Sequence, residues 1–214
     1  MKLITLILLF AACRVLAFDD TNVVAAGDWS QPVGTEHGPA IRGRLLVCYS
    51  QDPSPITAPY PYLEAHSVVC LELQEVSSTV RSVGVYEDSS PPDTGLHCEL
   101  RDSGVKLIPK SADDLLSGSF TRYWIRLRPH DSVRLRFSCY LGYGGDGIFA
   151  VYLRNGEFWD VHPSKTNEYY LSGTFTPHVP TNETPASVPS LPNNMDAWNG
   201  TLTLPGVKIP MKNL

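Results

Sequence analysis

Tyr123–Cys139 reads YWIRLRPHDSVRLRFSC, and it alternates apolar and polar residues on both sides of Pro129-His130-Asp131-Ser132. Ile125, Leu127, Val133, Leu135, Phe137 and Cys139 fall on one face, while Arg126, Arg128, Arg134 and Arg136 fall on the other. Successive side chains of a strand point to opposite faces, so this period of two means one buried face and one wet face. The simplest expectation is a half-buried antiparallel hairpin. With its turn centred on Asp131, Leu127 lies opposite Leu135 and Ile125 opposite Phe137. The same register sets Arg128 against Arg134 and Arg126 against Arg136. Opposed like charges cost roughly 0.2–1 kcal/mol a pair, so four such arginines need carboxylates from a neighbouring strand or an external anion. Arg126, Arg128, Arg134 and Arg136 are therefore the candidate anion-binding face. If the two strands enter different sheets, that face does not exist.

Working outward, the 214-residue chain is long enough for one large domain with a real core. It is 43% hydrophobic and 18% charged, with 18 Pro and 16 Gly, and no long segment repeats at the 3.6-residue helical period. That combination favours a turn-rich, all-β fold. Residues 1–17 read as a signal peptide, with Lys2 as the n-region, Leu3–Ala12 as the apolar run and Val15-Leu16-Ala17 as a small-residue cleavage site before Phe18. Phe10-Ala11-Ala12-Cys13 resembles a lipobox, which makes Cys13 the alternative lipidation site. The expected location is thus outside the cytoplasm: periplasmic, cell-surface or secreted, with or without a lipid anchor. No stretch approaches the ~20 apolar residues of a membrane span. Removing the signal segment takes away Lys2 and Arg14 and no acid, which moves the net charge from −5 to −7. A chain this acidic is not expected to bind nucleic acid.

Four cysteines remain in the folded part: Cys48, Cys70, Cys98 and Cys139. An even number in an exported chain permits two disulfides in three connectivities. Alternation places Cys98 with Leu96 and Leu100, and Cys139 with Phe137, so the expected pairs are Cys98 with Cys139 and Cys48 with Cys70. Buried free thiols are the other reading. No C-x₂₋₄-C spacing suggests zinc, and no cofactor is expected.

Further strands are expected at Ile41–Ser50, within Tyr62–Val76, and at Val80–Tyr86, Leu96–Arg101, Val105–Ile108, Ile148–Leu153, Glu157–Val161, Tyr169–Thr176 and Gly200–Met211. Asp102-Ser103-Gly104 reads as a tight turn and Asn155-Gly156 as a hairpin signal. Pro205-Gly206 marks a bulge or an edge. Residues 18–27 read as a loose lead-in, Ser111–Ser117 as a helical turn, Gly142–Gly147 as a loop, and 177–198 as a Pro-rich surface loop. About nine strands with turn signals between them describe one β-sandwich domain over 28–214.

Two segments carry a resemblance. SVVCLELQEVSSTVRSVGVYED (Ser67–Asp88) and YWIRLRPHDSVRLRFS (Tyr123–Ser138) resemble the immunoglobulin-like modules of bacterial exported proteins, which have a strand of the type LELxNVS and a later Pro-Gly-Glu/Asp-Ser turn. Here His130 stands where that turn has Gly. Trp29–Val33 followed by Ile41–Leu45 is similar to the start of exported domains from planctomycete bacteria, with GTEHGPA inserted. The resemblance implies an immunoglobulin-like antiparallel sandwich and transfers no catalytic residue.

No G-x-S-x-G or H-E-x-x-H motif occurs, and the six histidines are scattered. Asp146 and Asp160 are the candidate carboxylates for a glycosidase, and Asp88 or Asp113-Asp114 the candidates for calcium, without EF-hand spacing. Asn182 and Asn199 begin glycosylation sequons, which arise by chance in bacterial proteins. Tyr140, Tyr143 and Trp159 form the candidate aromatic contact surface, suited to sugar rings or a protein partner. The functional expectation is a non-enzymatic binding or structural module of the cell envelope, with a protein or glycan partner. The alternatives are an exported carbohydrate-active enzyme and a protease-inhibitor-like sandwich presenting the loop Gln51–Pro61.

Overall fold

The computed structural model describes residues 23–34, 40–49, 64–77, 82–88, 95–111, 122–143, 147–153, 157–162, 167–177, 190–193 and 195–211. No helix occurs among them, and fifteen strands do. In chain order these are β1 (Val23–Ala26), β2 (Val33–Gly34), β3 (Ala40–Tyr49), β4 (Glu64–Glu75), β5 (Ser82–Asp88), β6 (Leu96–Asp102), β7 (Val105–Lys106) and β8 (Lys110–Ser111). They continue with β9 (Arg122–Leu127), β10 (Ser132–Tyr143), β11 (Phe149–Leu153), β12 (Glu157–Val161), β13 (Tyr169–Phe175), β14 (Met195–Ala197) and β15 (Leu202–Lys208).

The large sheet runs β1-β3-β4-β10-β11-β12-β8, with β2 also on β3. A second sheet runs β15-β13-β6-β7 and a third β14-β5-β9. Alternation along each strand feeds one shared core. Leu45, Leu71 and Leu135 come from the large sheet, Leu100, Leu171 and Leu204 from the second, and Val85, Ile125 and Leu127 from the third. Each such side chain contributes about 1.5–3 kcal/mol on burial. Antiparallel sheets sharing a single core make a β-sandwich, as the composition and turn spacing imply. Among the described strands every pairing is antiparallel except β14 with β5.

The opening stretch does not form a hairpin. Its two strands are where the alternation puts them, and the turn between them closes with the Asp131 N–H donating to the Arg128 carbonyl at 3.0 Å. Beyond the turn the strands separate into different sheets. β9 pairs with β5, setting Val85 against Ile125 and Val83 against Leu127. β10 pairs with β4, setting Leu71 against Leu135 and Glu72 against Arg134. Alternation fixes which face of a strand is buried and says nothing about its neighbour. Pro129–Asp131 is thus a corner of the sandwich.

Other differences have local causes. Val23–Ala26, expected as lead-in, is an edge strand on β3. Gly142 and Tyr143 extend β10 instead of starting a loop. Ser111 ends a short strand bridged to Glu157, and the rest of the expected helical turn lies outside the described residues. The Pro-rich segment is not purely surface loop: Met195–Ala197 pairs with β5, and Trp198 is buried against Phe175 in a stacked pair at 6.4 Å.

Some turn expectations hold closely. Ser103 and Gly104 both take positive φ, 48° and 92°, as a two-residue hairpin turn requires. β13 and β15 shift register where Ser172 faces Pro205-Gly206, so that dipeptide does form a bulge, on an edge strand.

Candidate functional site

The outward face of the large sheet carries a polar ladder across three strands. Arg44 on β3, Glu72 on β4 and Arg134 on β10 stand in register. Glu72 accepts from Arg44 Nε at 2.6 Å and from Arg134 Nε at 3.0 Å, with its side chain only 6% exposed. One rung away, Arg42 donates through Nε (2.9 Å) and Nη2 (2.6 Å) to Gln74 Oε1. Trp29 lies over both β3 guanidiniums, 4.6 Å from Arg42 Cζ and 4.4 Å from Arg44 Cζ. Such cation–π contacts are worth about 0.5–1 kcal/mol each at partly exposed sites. Matching the alternation of IRGRLLVC to that of VVCLELQE would have exposed the Arg–Glu rung. Trp29 gave no periodic signal.

The four arginines of the opening stretch are not gathered. Arg134 belongs to this ladder. Arg126 lies on β9 in the third sheet and donates through Nε to Ser82 Oγ at 3.0 Å. Arg128 is exposed beside the corner. The backbone of Arg136 pairs with Cys70, and its side chain lies outside the described residues. The expected anion-binding face therefore does not assemble, because its two halves sit in separate sheets.

A second carboxylate shapes the corner. Glu75 is fully buried. Its Oε2 accepts the His130 N–H at 3.0 Å, and its Oε1 accepts the Ser77 N–H at 2.9 Å and the Ser77 hydroxyl. Three donors replace water around a charge that would otherwise be costly to bury.

The aromatic contact surface needs a similar correction. Trp159 is 3% exposed and donates from Nε1 to the Leu107 carbonyl at 3.2 Å, so it is core. Inward-facing positions of β12 carry it there, packed among Val151 and Val161. The side chains of Tyr140 and Tyr143 lie outside the described residues. So do Asp146, Asp113-Asp114, Cys13, Asn182 and the loop Gln51–Pro61. Asp160 pairs with Lys110 Nζ at 2.8 Å.

None of the four described cysteines is joined in a disulfide in this structure. Cys139 belongs to the main core and Cys98 packs against it. Burial pushes the Cys98 thiol up to about 12 and raises Cys139 well above the ordinary range. Cys48 and Cys70 occupy the opposite face of the large sheet, in a separate buried cluster with Leu46 and Val68. They are diagonal neighbours, since Cys48 pairs with Val68 and Cys70 with Leu46. A hydrogen bond from Cys70 lowers the Cys48 pKa, and burial opposes it.

One open cleft of about 290 Å³ is lined by Val33, Gly34 and Asp196–Gly200. Two of these lining residues are tied together, since Trp198 Nε1 donates to the Val33 carbonyl at 3.0 Å. Asn199, the first residue of a sequon, is part of the lining. Among the described residues no group of three or more His, Cys, Asp or Glu is arranged to hold a metal ion. No described helix is long and apolar enough to cross a membrane.

No family model, curated protein or solved structure matches this chain. The class that the fold defines is an all-β sandwich with a structured polar ladder on its largest sheet.

Proposed function

We propose that this chain is an exported, non-enzymatic module with a binding or structural role at the cell envelope, built as an immunoglobulin-like sandwich. The observation that supports it best is how the sheet carboxylates are used. Glu72 is shared by two arginines, Glu75 holds the corner, and Asp160 is tied to Lys110. Each serves the scaffold and is oriented by it. A general acid–base pair needs carboxylates facing a common cleft. The partner is a protein or glycan of the envelope, and the signal-like segment 1–17 delivers the chain to it.

The test is fractionation of the tagged full chain in the organism that makes it, with N-terminal sequencing and a polysaccharide hydrolysis panel. The reading expects envelope or extracellular protein beginning at Phe18, or at an acylated Cys13, and no hydrolysis. A full-length cytoplasmic product overturns the export reading. Hydrolysis lost in Asp160→Asn overturns the non-enzymatic one.

A further inference from the structure

We infer that the outward face of the large sheet, at Trp29, Arg42, Arg44 and Arg134, binds an acidic polysaccharide through the carboxylates of its sugar units. This deepens the envelope reading by naming the partner, and it rests on that reading for where the chain meets such a polymer. The surface differs from the arginine face expected between Arg126 and Arg136, since Arg42 and Arg44 stand on β3 and only Arg134 is common to both.

Charge is the first argument. The ladder sets the three guanidiniums of Arg42, Arg44 and Arg134 against the single carboxylate of Glu72, on a chain whose overall net charge is −5. Arg44 and Arg134 share that carboxylate. Arg42 has none among the described residues: its Nε and Nη2 both donate to the neutral Gln74 Oε1. A ladder serving stability alone is completed by a carboxylate at position 74. With Gln74 there, the face keeps an excess of positive charge.

The donors left over are of one kind. A guanidinium carries five N–H groups in a planar fork. Arg44 spends Nε on Glu72, and among the described residues it makes no other hydrogen bond. Its side chain is 27% exposed. The Nη1/Nη2 end is thus left as a fork that takes a carboxylate through two parallel bonds. Arg42 keeps Nη1 in the same way. The two arginines stand two residues apart on one face of β3, about 6.5–7 Å along the strand. Two such sites in a row suit a polymer that repeats its carboxylates.

The guanidiniums are also held before any ligand arrives. The Trp29 ring lies 4.6 Å from Arg42 Cζ and 4.4 Å from Arg44 Cζ. Its own flanks are fixed to β3. The Gly27 N–H donates to the Leu45 carbonyl at 2.9 Å, the Ser30 N–H to the Gly43 carbonyl at 2.8 Å, and the Gly43 N–H to Ser30 Oγ at 3.0 Å. A side chain already immobilised loses little freedom on binding.

Two observations favour a glycan over an acidic peptide. Trp29 is only half-buried, so it offers aromatic surface beside the forks for the apolar face of a sugar ring. An extended peptide gains its affinity by adding to a free strand edge. β3, β4 and β10 are each paired on both sides and offer no edge.

The experiment titrates the tagged full chain with polygalacturonate and alginate oligomers by calorimetry, beside a neutral glucan oligomer and poly-L-glutamate. Binding to at least one uronate oligomer is expected, weakening as salt is raised, with no heat from the neutral glucan. Arg42→Gln, which leaves the Glu72 pairs in place, should weaken that binding about tenfold. Arg42→Lys keeps the charge without the fork and should weaken it about threefold. Arg126→Ser, in the third sheet, should bind as the wild type does. Urea midpoints of all three variants separate lost binding from lost folding. Absence of uronate binding in the folded wild type overturns the inference, as does binding that Arg42→Gln leaves unchanged. Tighter binding of poly-L-glutamate also overturns it, and so does a wild-type dimer that Arg42→Gln dissociates. An exported chain that ignores both uronates sinks this inference and leaves the envelope reading standing. A cytoplasmic chain that binds them does the reverse.

Discussion

The Glu75 carboxylate holds the backbone N–H of His130 at 3.0 Å, and His130 adopts a left-handed φ of 65°. The Glu75 N–H in turn donates to the Asp131 carbonyl at 3.1 Å. These two bonds clamp the corner at which the chain leaves the third sheet and enters the large one. A residue with a Cβ is strained by roughly 1–2 kcal/mol in this conformation, and the buried carboxylate stabilises it. His130→Gly should therefore raise stability by about 1 kcal/mol, read as a higher urea midpoint at unchanged slope. An unchanged or lower midpoint would show that the corner carries no such strain.

Glu72 is shared between Arg44 and Arg134 while nearly buried. Neutralising it takes away the one carboxylate that both guanidiniums share. Glu72→Gln is expected to cost about 3 kcal/mol in urea unfolding. Arg126→Ser, in a different sheet with only a neutral Ser82 partner and an exposed head, should stay within about 0.5 kcal/mol. Equal losses from the two would argue for the single arginine face that the separated sheets rule out.

β13 and β6 approach closely at Gly173, where an added Cβ would lie 2.2 Å from the His97 carbonyl oxygen. Backbone cannot rotate away as a side chain can. Gly173→Ala should destabilise the protein by about 1–3 kcal/mol, measured as a lower thermal midpoint. Gly104→Ala provides the contrast. There a Cβ meets nothing within 4 Å and only the φ of 92° opposes it.

In the reduced protein the two core thiols make stability pH-dependent. Their folded pKa values are raised, that of Cys98 to about 12 from an ordinary 9.0. Below pH 9 both stay protonated in either state and stability is full. Above it the unfolded chain loses protons that the folded one keeps. Stability then falls by up to about 1.4 kcal/mol per pH unit for each thiol, until the folded pKa is passed. Urea midpoints in a phosphine reductant between pH 8 and 10.5 should show this slope. A Cys98→Ala/Cys139→Ala variant that keeps the slope would assign it to other groups.

The strands were largely legible because burial imposes a period of two on any half-buried strand, as in Ile125–Leu127 and Val133–Leu135. Turn chemistry was legible at Ser103-Gly104 and at Pro205-Gly206, since positive φ and a missing N–H leave marks in residue type. Trp159 misled because an aromatic near loops looks the same whether its strand is covered or open. Trp198 was hidden in a segment whose prolines suggested a loop, although its ring packs on Phe175.

The sequence by itself determined that this is an all-β chain, which face of each main strand is buried, and that Cys98 and Cys139 point inward. Those properties follow from local alternation and local backbone chemistry. Only the tertiary structure decided which strands are neighbours, and so split the arginines of Tyr123–Cys139 between two sheets. It also gave Arg134 the carboxylate of Glu72, sixty-two residues away in the chain. Strand pairing is a choice among many edges with similar hydrogen-bonding groups. It is settled by how all the buried faces close over one core, which no single stretch records.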